Sequence, residues 1–141
     1  EEKIAVTGWS QGGALTIVTS YLNPKVKYAA AVYPAMCDLT GRIYDQGDAW
    51  PRMFRDKTNI TPARIETASY YDVVNFVKGL KIPIFFTYGY NDLTVCPTSM
   101  QAAYNVTTAP KELLVVPQSR HYTYPEQRKA RSQWLLDKLL K

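Results

Sequence analysis

Lys3-Ile4-Ala5-Val6-Thr7, then Gly8-Trp9-Ser10-Gln11-Gly12-Gly13, then an apolar run to Leu22 stopped by Asn23-Pro24, decide how this chain is read. The segment predicts strand, tight turn and helix. Ile4, Ala5 and Val6 run on without polar alternation, the pattern of a strand covered on both faces in a parallel α/β sheet, so this strand is expected to be internal. Leu15, Val18 and Leu22 then recur at helical spacing. Between strand and helix stands G-x-S-x-G. A serine at the top of such a turn sits in strained backbone, and Gly8, Gly12 and Gly13 are expected to give the two elements room to approach. The hydroxyl of Ser10 then projects above the sheet, and the first helical amide, that of Gln11, points at whatever reacts with it. A phosphate-binding turn fits less well. G-x-G-x-x-G needs glycine at position 10, and a P-loop needs Gly-Lys-Ser/Thr.

Working outward, Lys27 to Tyr33 reads as a second buried strand through its Ala-Ala-Ala-Val core. Ala35 to Ala68 has no clean period and is punctuated by Gly41, Gly47, Pro51 and Pro62, with Trp50, Met53 and Phe54 as a short helix. This stretch, about residues 35–68, is expected to be a lid-like insertion over one end of the sheet, with Trp50 and Phe54 serving packing. Ser69 and Asp72 resemble a capping box opening a helix whose Val73, Val74, Phe76 and Val77 face the core, with Gly79 at its end. Ile82 to Tyr88 is the third strand and delivers Gly89-Tyr90-Asn91-Asp92. Pro97 starts a helix through Tyr104, Lys111 to Pro117 is a fourth strand, and Glu126 to Leu140 is an amphipathic helix. Strands alternating with helices predict one α/β domain with about four parallel strands, and in such sheets ligands bind beyond the carboxyl ends.

Ser10, Asp92 and His121 all fall at that end. A serine needs a base to take its proton and a third group to orient the base. His121 is the single histidine of the 141 residues, and the order Ser, Asp, His is that of α/β-hydrolases. Asp72, placed in the first turn of a helix, and Asp38, just past the second strand, are weaker alternatives for the acid.

Composition narrows the classes. With 46% hydrophobic and 21% charged residues the chain is an ordinary globular one. No apolar run approaches a membrane span of about 20 residues. The net charge of +5 is spread out, and its densest group, Arg128, Lys129 and Arg131, is expected to be a solvated helix face rather than a nucleic-acid patch. Cys37 and Cys96 match no metal spacing and are taken as two reduced thiols. The chain opens at Glu1 rather than Met, two residues before an expected buried strand, which points to a fragment or processed chain whose compartment is open.

The elbow Gly8 to Gly13, Tyr70-Tyr71-Asp72-Val73-Val74-Asn75-Phe76, and Asp92 to Asn105 with Val95-Cys96-Pro97-Thr98 and Ala102-Ala103-Tyr104-Asn105, followed by Pro110-Lys111-Glu112, resemble the acetyl xylan esterase and cephalosporin-C deacetylase family. The resemblance covers most of the chain. It implies the C-terminal half of an α/β-hydrolase that removes acetyl groups from xylo-oligosaccharides and similar small esters without metal or cofactor. It also implies an N-terminal half that adds strands and an oxyanion-hole tyrosine, and often a ring-shaped hexamer. Ser10, Asp92 and His121 would form the triad, with the Gln11 amide in the oxyanion hole. Family members usually carry Gly-His-Glu where Arg120-His121-Tyr122 stands here, and Trp9 is bulky beside the nucleophile, which bears on substrate choice. Trp9, Tyr90 and Tyr122 are the candidate substrate contacts. The alternatives are a prolyl-oligopeptidase-type peptidase, whose elbow often has tyrosine in place of Gln11, and a non-catalytic assembly module using the exposed edge of the first strand.

Overall fold

The computed structural model describes residues 3–140. Strands β1 (Ile4–Trp9), β2 (Val26–Val32), β3 (Ile84–Tyr88) and β4 (Lys111–Val115) form one parallel sheet in that spatial order. The helices are α1 (Gln11–Leu22), α2 (Pro62–Ser69), α3 (Val73–Gly79), α4 (Pro97–Val106) and α5 (Pro125–Leu140), with two 3-10 turns at Gly41–Tyr44 and Lys57–Asn59. Helices cover both faces. Ile17, Ala29, Ala31, Val77, Ile84 and Phe86 share one cluster beneath α1 and α3, whereas Trp134 of α5 packs with Ala30 and Phe85 on the other side.

Five expectations need correction. β1 lies at the edge of the described sheet rather than inside it: it pairs only with β2 among the described residues, and Ile4 and Trp9 at its two ends are 42% and 59% exposed. The central strands are β2 and β3, where Ala29 to Val32 and Ile84 to Tyr88 are buried. In α1, Leu15 and Leu22 face outward, and the buried face is Gly13, Ala14, Thr16, Ile17 and Ser20. Small residues lie inward because the helix sits close on β2: a Cβ on Gly13 would approach the Val32 carbonyl to 2.8 Å. Gly12 serves no such purpose, since a Cβ there meets nothing within 4 Å.

The capping box at Ser69 does not form. α2 occupies the preceding residues, capped by the Thr61 hydroxyl accepting from the Arg64 amide, and the Ser69 hydroxyl donates back to Glu66. Asp72 is itself the N-cap of α3, accepting from the Val74 amide. Trp50, Met53 and Phe54 lie in turns rather than a helix. Phe54 is buried with Leu39, Ala49 and Ala68 in a cluster of its own, because the helical hydrogen bonds in this stretch belong to α2 and the two 3-10 turns.

The register places the site. Trp9 is level with Val32, Val32 with Thr87, and Tyr88 with Val115, so the segments following β1, β2, β3 and β4 all leave the same end of the sheet.

Candidate active site

Ser10 sits between β1 and α1 with φ 56° and ψ −125°, a left-handed conformation that a residue with a Cβ holds only when its surroundings impose it. They do so through the main chain. The Ser10 amide donates to the Val32 carbonyl at 3.0 Å, and its carbonyl accepts from Ala35 at 3.0 Å and Ala14 at 3.1 Å. Gly8 is the glycine this turn requires, because a Cβ there would lie 2.6 Å from the Gly12 carbonyl carbon. Ser10 makes no side-chain cap to α1. Its hydroxyl is turned instead to His121, with Oγ 2.9 Å from Nε2.

The other ring nitrogen, Nδ1, lies 2.9 Å from Asp92 Oδ2. The second oxygen of Asp92 accepts from the amides of Thr94 and Val95, each at 2.9 Å, and the side chain is fully buried. A carboxylate only accepts, so Nδ1 carries the hydrogen and Nε2 keeps the lone pair that faces the Ser10 hydroxyl. The loops carrying acid and histidine are zipped together: Tyr90 donates to the Pro117 carbonyl, Asn91 to that of Ser119 and Val116 to that of Tyr88. Gly89 permits this approach. A Cβ there would stand 2.6 Å from the Val116 carbonyl and collide with Ser119.

Asp72 is committed elsewhere. Its carboxylate accepts from the amides of Asp38 at 2.9 Å, Leu39 at 2.7 Å and Val74 at 2.9 Å, and touches neither Ser10 nor His121. Burial pushes its carboxyl above the ordinary value although the three amides pull the other way. Asp38 is pushed up too, by burial and by the charge of Asp72. Among the described residues no group of three or more His, Cys, Asp or Glu could hold a metal ion, and no helix is long and apolar enough to cross a membrane. Cys37 and Cys96 are free thiols.

Gln11 opens α1, and an N–H in the first helical turn has no intrahelical acceptor. Trp9 and Tyr122, both about 60% exposed, face a cleft of about 360 Å³ together with Tyr33, Thr123, Arg128 and Arg131. Tyr90 is equally exposed but is not among its walls. Lys129 points to solvent, whereas Arg128 and Arg131 line the cleft, so the basic group is not one uniform solvated face. Sequence reasoning did not single out Tyr33, whose ring lies against the His121 imidazole, centroids 4.8 Å apart. The signal for it was its position, directly after a buried strand at the end of the sheet where Ser10 stands.

The sequence pattern of the acetyl xylan esterase (AXE1) family matches residues 1–138. Acetyl esterase Axe7A of Xylanibacter ruminicola is 39% identical over 134 residues, 95% of this chain and 30% of that protein. The acetyl xylan esterase 1 structure from Thermoanaerobacterium sp. JW/SL YS485 superposes with a TM-score of 0.80 at 26% identity, over 96% of this chain and 45% of that one. An acylaminoacyl peptidase from Pyrococcus horikoshii, at 18% identity, shares the fold, with a TM-score of 0.74 over 99% of this chain and 24% of its own. The chain thus spans under half the length of each of these three proteins. Four parallel strands flanked by helices, with the elbow serine after the first, make the fold that of an α/β-hydrolase, and the chain belongs to the acetyl xylan esterase family.

Proposed function

We propose that this chain carries the catalytic triad of a serine esterase that removes acetyl groups from acetylated xylo-oligosaccharides or similar small esters. The observation that carries the reading is the continuous contact from Ser10 Oγ through the imidazole to the buried Asp92, 2.9 Å at each joint, in a chain of an ester-hydrolase family. Ser10 Oγ attacks the acetyl carbonyl carbon while His121 Nε2 takes its proton, and Asp92 holds the resulting imidazolium through Nδ1–H. The charge developing on the carbonyl oxygen meets the Gln11 amide. His121 then returns the proton to the departing sugar oxygen, leaving acetyl-Ser10. Water, deprotonated by the same nitrogen, attacks the acetyl group, and acetate leaves as the proton passes back to Ser10. Trp9 and Tyr122, exposed side chains next in sequence to Ser10 and His121, line the cleft offered to the sugar; Tyr90 lies outside that cleft and has the weaker case.

An oxyanion hole needs a second donor, and removing one donor typically costs about a hundred- to a thousandfold in rate. The free edge of β1 is where further strands of the sheet, and that donor, would join. On this reading the 141 residues alone turn over esters slowly.

The test is labelling with a fluorophosphonate, mapped by mass spectrometry, in the wild-type chain and in His121→Ala, followed by acetate release from acetylated xylan. Labelling confined to Ser10 and abolished by His121→Ala is expected. Labelling at Ser10 that survives His121→Ala would sink the triad. Cleavage of a peptide amide without acetate release would move the assignment to the peptidase class that shares the fold.

A further inference from the structure

We infer that Tyr33 is a positioning residue that keeps the His121 imidazole aimed at Ser10 through the catalytic cycle; the inference rests on the triad reading. Three observations converge on this side chain. Its ring lies against the imidazole at 4.8 Å between centroids, tilted by 55°. Its hydroxyl is 2.8 Å from the Thr123 hydroxyl, two residues beyond the histidine and ninety from Tyr33 in sequence. Its backbone sits at φ 32°, a left-handed value that an aromatic residue adopts only where the surroundings force it.

The force comes from both sides. The Tyr33 amide donates to the Thr87 carbonyl at 2.7 Å, tying it to the end of β3. Its neighbours Val32 and Ala35 grip the main chain of Ser10, one accepting from its amide and the other donating to its carbonyl. Three residues of one short stretch, Val32, Tyr33 and Ala35, therefore fix the nucleophile by main chain and the base by side chain. Tyr33 is 4% exposed, so the ring is clamped rather than free to swing.

The chemistry explains why such a brace matters. Two in-plane contacts aim the imidazole in the resting site, Nδ1 to Asp92 and Nε2 to Ser10. Once Ser10 is acylated, its oxygen no longer offers a hydrogen to Nε2. The ring is then held at Nδ1 alone and can tilt about that bond, at the stage when Nε2 must activate water. The tilted contact with the Tyr33 ring does not depend on whether Ser10 is acylated, and it limits the tilt. The Tyr33–Thr123 hydroxyl pair, by fixing the loop just past His121, limits its shift.

The test uses the whole chain and four variants: Tyr33→Phe, Tyr33→Leu, Thr123→Val and Thr123→Ser. Saturation kinetics of Ser10 labelling separate the maximal rate from the concentration of probe that half-saturates it. An aromatic contact of this kind corresponds to about a two- to tenfold effect on rate. Tyr33→Leu is expected to lower the maximal rate by about tenfold and Tyr33→Phe by about threefold, with half-saturation unchanged. Thr123→Val should match Tyr33→Phe and add nothing to it in the double variant, while Thr123→Ser restores the rate. In NMR spectra of the imidazole, wild type and Tyr33→Phe should show one ring environment and Tyr33→Leu an averaged one.

A change in half-saturation with the maximal rate intact would make Tyr33 a substrate contact and overturn the inference. Equal rates in all variants would overturn it too. Should Tyr33→Leu fail to fold, Tyr33→Phe and the Thr123 pair decide. A wild-type chain that labels independently of His121 removes the triad reading; the imidazole spectra then judge Tyr33 alone, and identical spectra in wild type, Tyr33→Phe and Tyr33→Leu would refute its role.

Discussion

Replacing Asp92 by asparagine separates orientation from packing. Asp92 uses one oxygen to accept from the Thr94 and Val95 amides and the other to accept from His121 Nδ1. Asparagine has one carbonyl and one amide group of nearly the same shape. The two backbone donors, both 2.9 Å away, select the carbonyl, because turning the side chain over would set its NH₂ against two N–H groups. The NH₂ is then left facing Nδ1. Nδ1 must become the acceptor, the proton moves to Nε2, and the nitrogen that should take the Ser10 proton presents a hydrogen to it instead. A serine-hydrolase triad forced into this tautomer loses about 10⁴ in rate with its geometry intact. The fold hardly registers the change, since all three hydrogen bonds survive and only the one to His121 reverses its polarity. Asp92→Ala differs by orphaning the buried Val95 amide, a cost of about 1–3 kcal/mol. Labelling rate and thermal melting together make the assay. Asp92→Asn is expected to label about 10⁴ times more slowly at a melting temperature close to wild type. Labelling within tenfold of wild type would refute the assignment of Asp92 as the orienting acid.

Asp72→Ala should show the reverse pattern. It removes the N-cap of α3 and leaves the Asp38 and Leu39 amides without their acceptor, so a loss of roughly 2–4 kcal/mol in urea unfolding is expected while the labelling rate is unchanged. Burial holds the carboxyls of both Asp72 and Asp38 above the ordinary 3.8, so the folded chain binds their protons to higher pH than the unfolded one. Their contribution to stability is therefore present at low pH and lost as pH rises from 3.8 through the raised values, and a urea series across that window should flatten in Asp38→Asn. Gly8→Ala should prevent the elbow from forming, whereas Gly12→Ala, in open space at the start of α1, should melt at or above the wild-type temperature. Iodoacetamide should reach Cys96 well before Cys37: burial opposes the Cys96 thiolate, but hydrogen bonds from Thr98, Asp48 and Ser99 outweigh it, while Cys37 is fully enclosed and pushed well up by burial and by Asp72 and Asp38. Peptide mapping after a short pulse reads this directly.

The residues of the proposed triad could be picked out of the sequence because a parallel sheet collects its strand ends. Once G-x-S-x-G marked which end of β1 mattered, the residues following β3 and β4 had to arrive beside it, and Asp92 and His121 follow those strands. What failed depended on facts that no period carries. The outward placement of Leu15 and Leu22 follows from how closely α1 approaches β2, which is set by Gly13 and Ala14 rather than by the larger apolar residues. α2 escaped notice because Ala68 is its only buried residue, so its hydrophobic pattern is nearly blank, although Thr61-Pro62 carried a start signal. Tyr33 escaped because its partners are distant in sequence, and nothing local distinguishes a strand-end tyrosine that packs from one that braces.

The site is assembled mainly by main chain. Ser10 is held by Val32 and Ala35, Tyr33 by Thr87, Tyr90 and Asn91 by Pro117 and Ser119, and Asp92 by the amides of Thr94 and Val95. Such bonds do not depend on which side chains the donors and acceptors carry, except where a Cβ would block the approach, as at Gly8, Gly13 and Gly89. Side-chain identity then matters at few places: the three groups of the proposed triad, those glycines, and Tyr33 with Thr123. Trp9, Tyr122, Arg128 and Arg131 stand outside that frame, on the cleft wall, free of any duty to hold it. The physical consequence is a division between a frame that resists drift and a wall that tolerates it. Substitutions at the wall should alter which ester binds while leaving His121-dependent labelling of Ser10 in place, and substitutions in the frame should alter labelling whatever the ester.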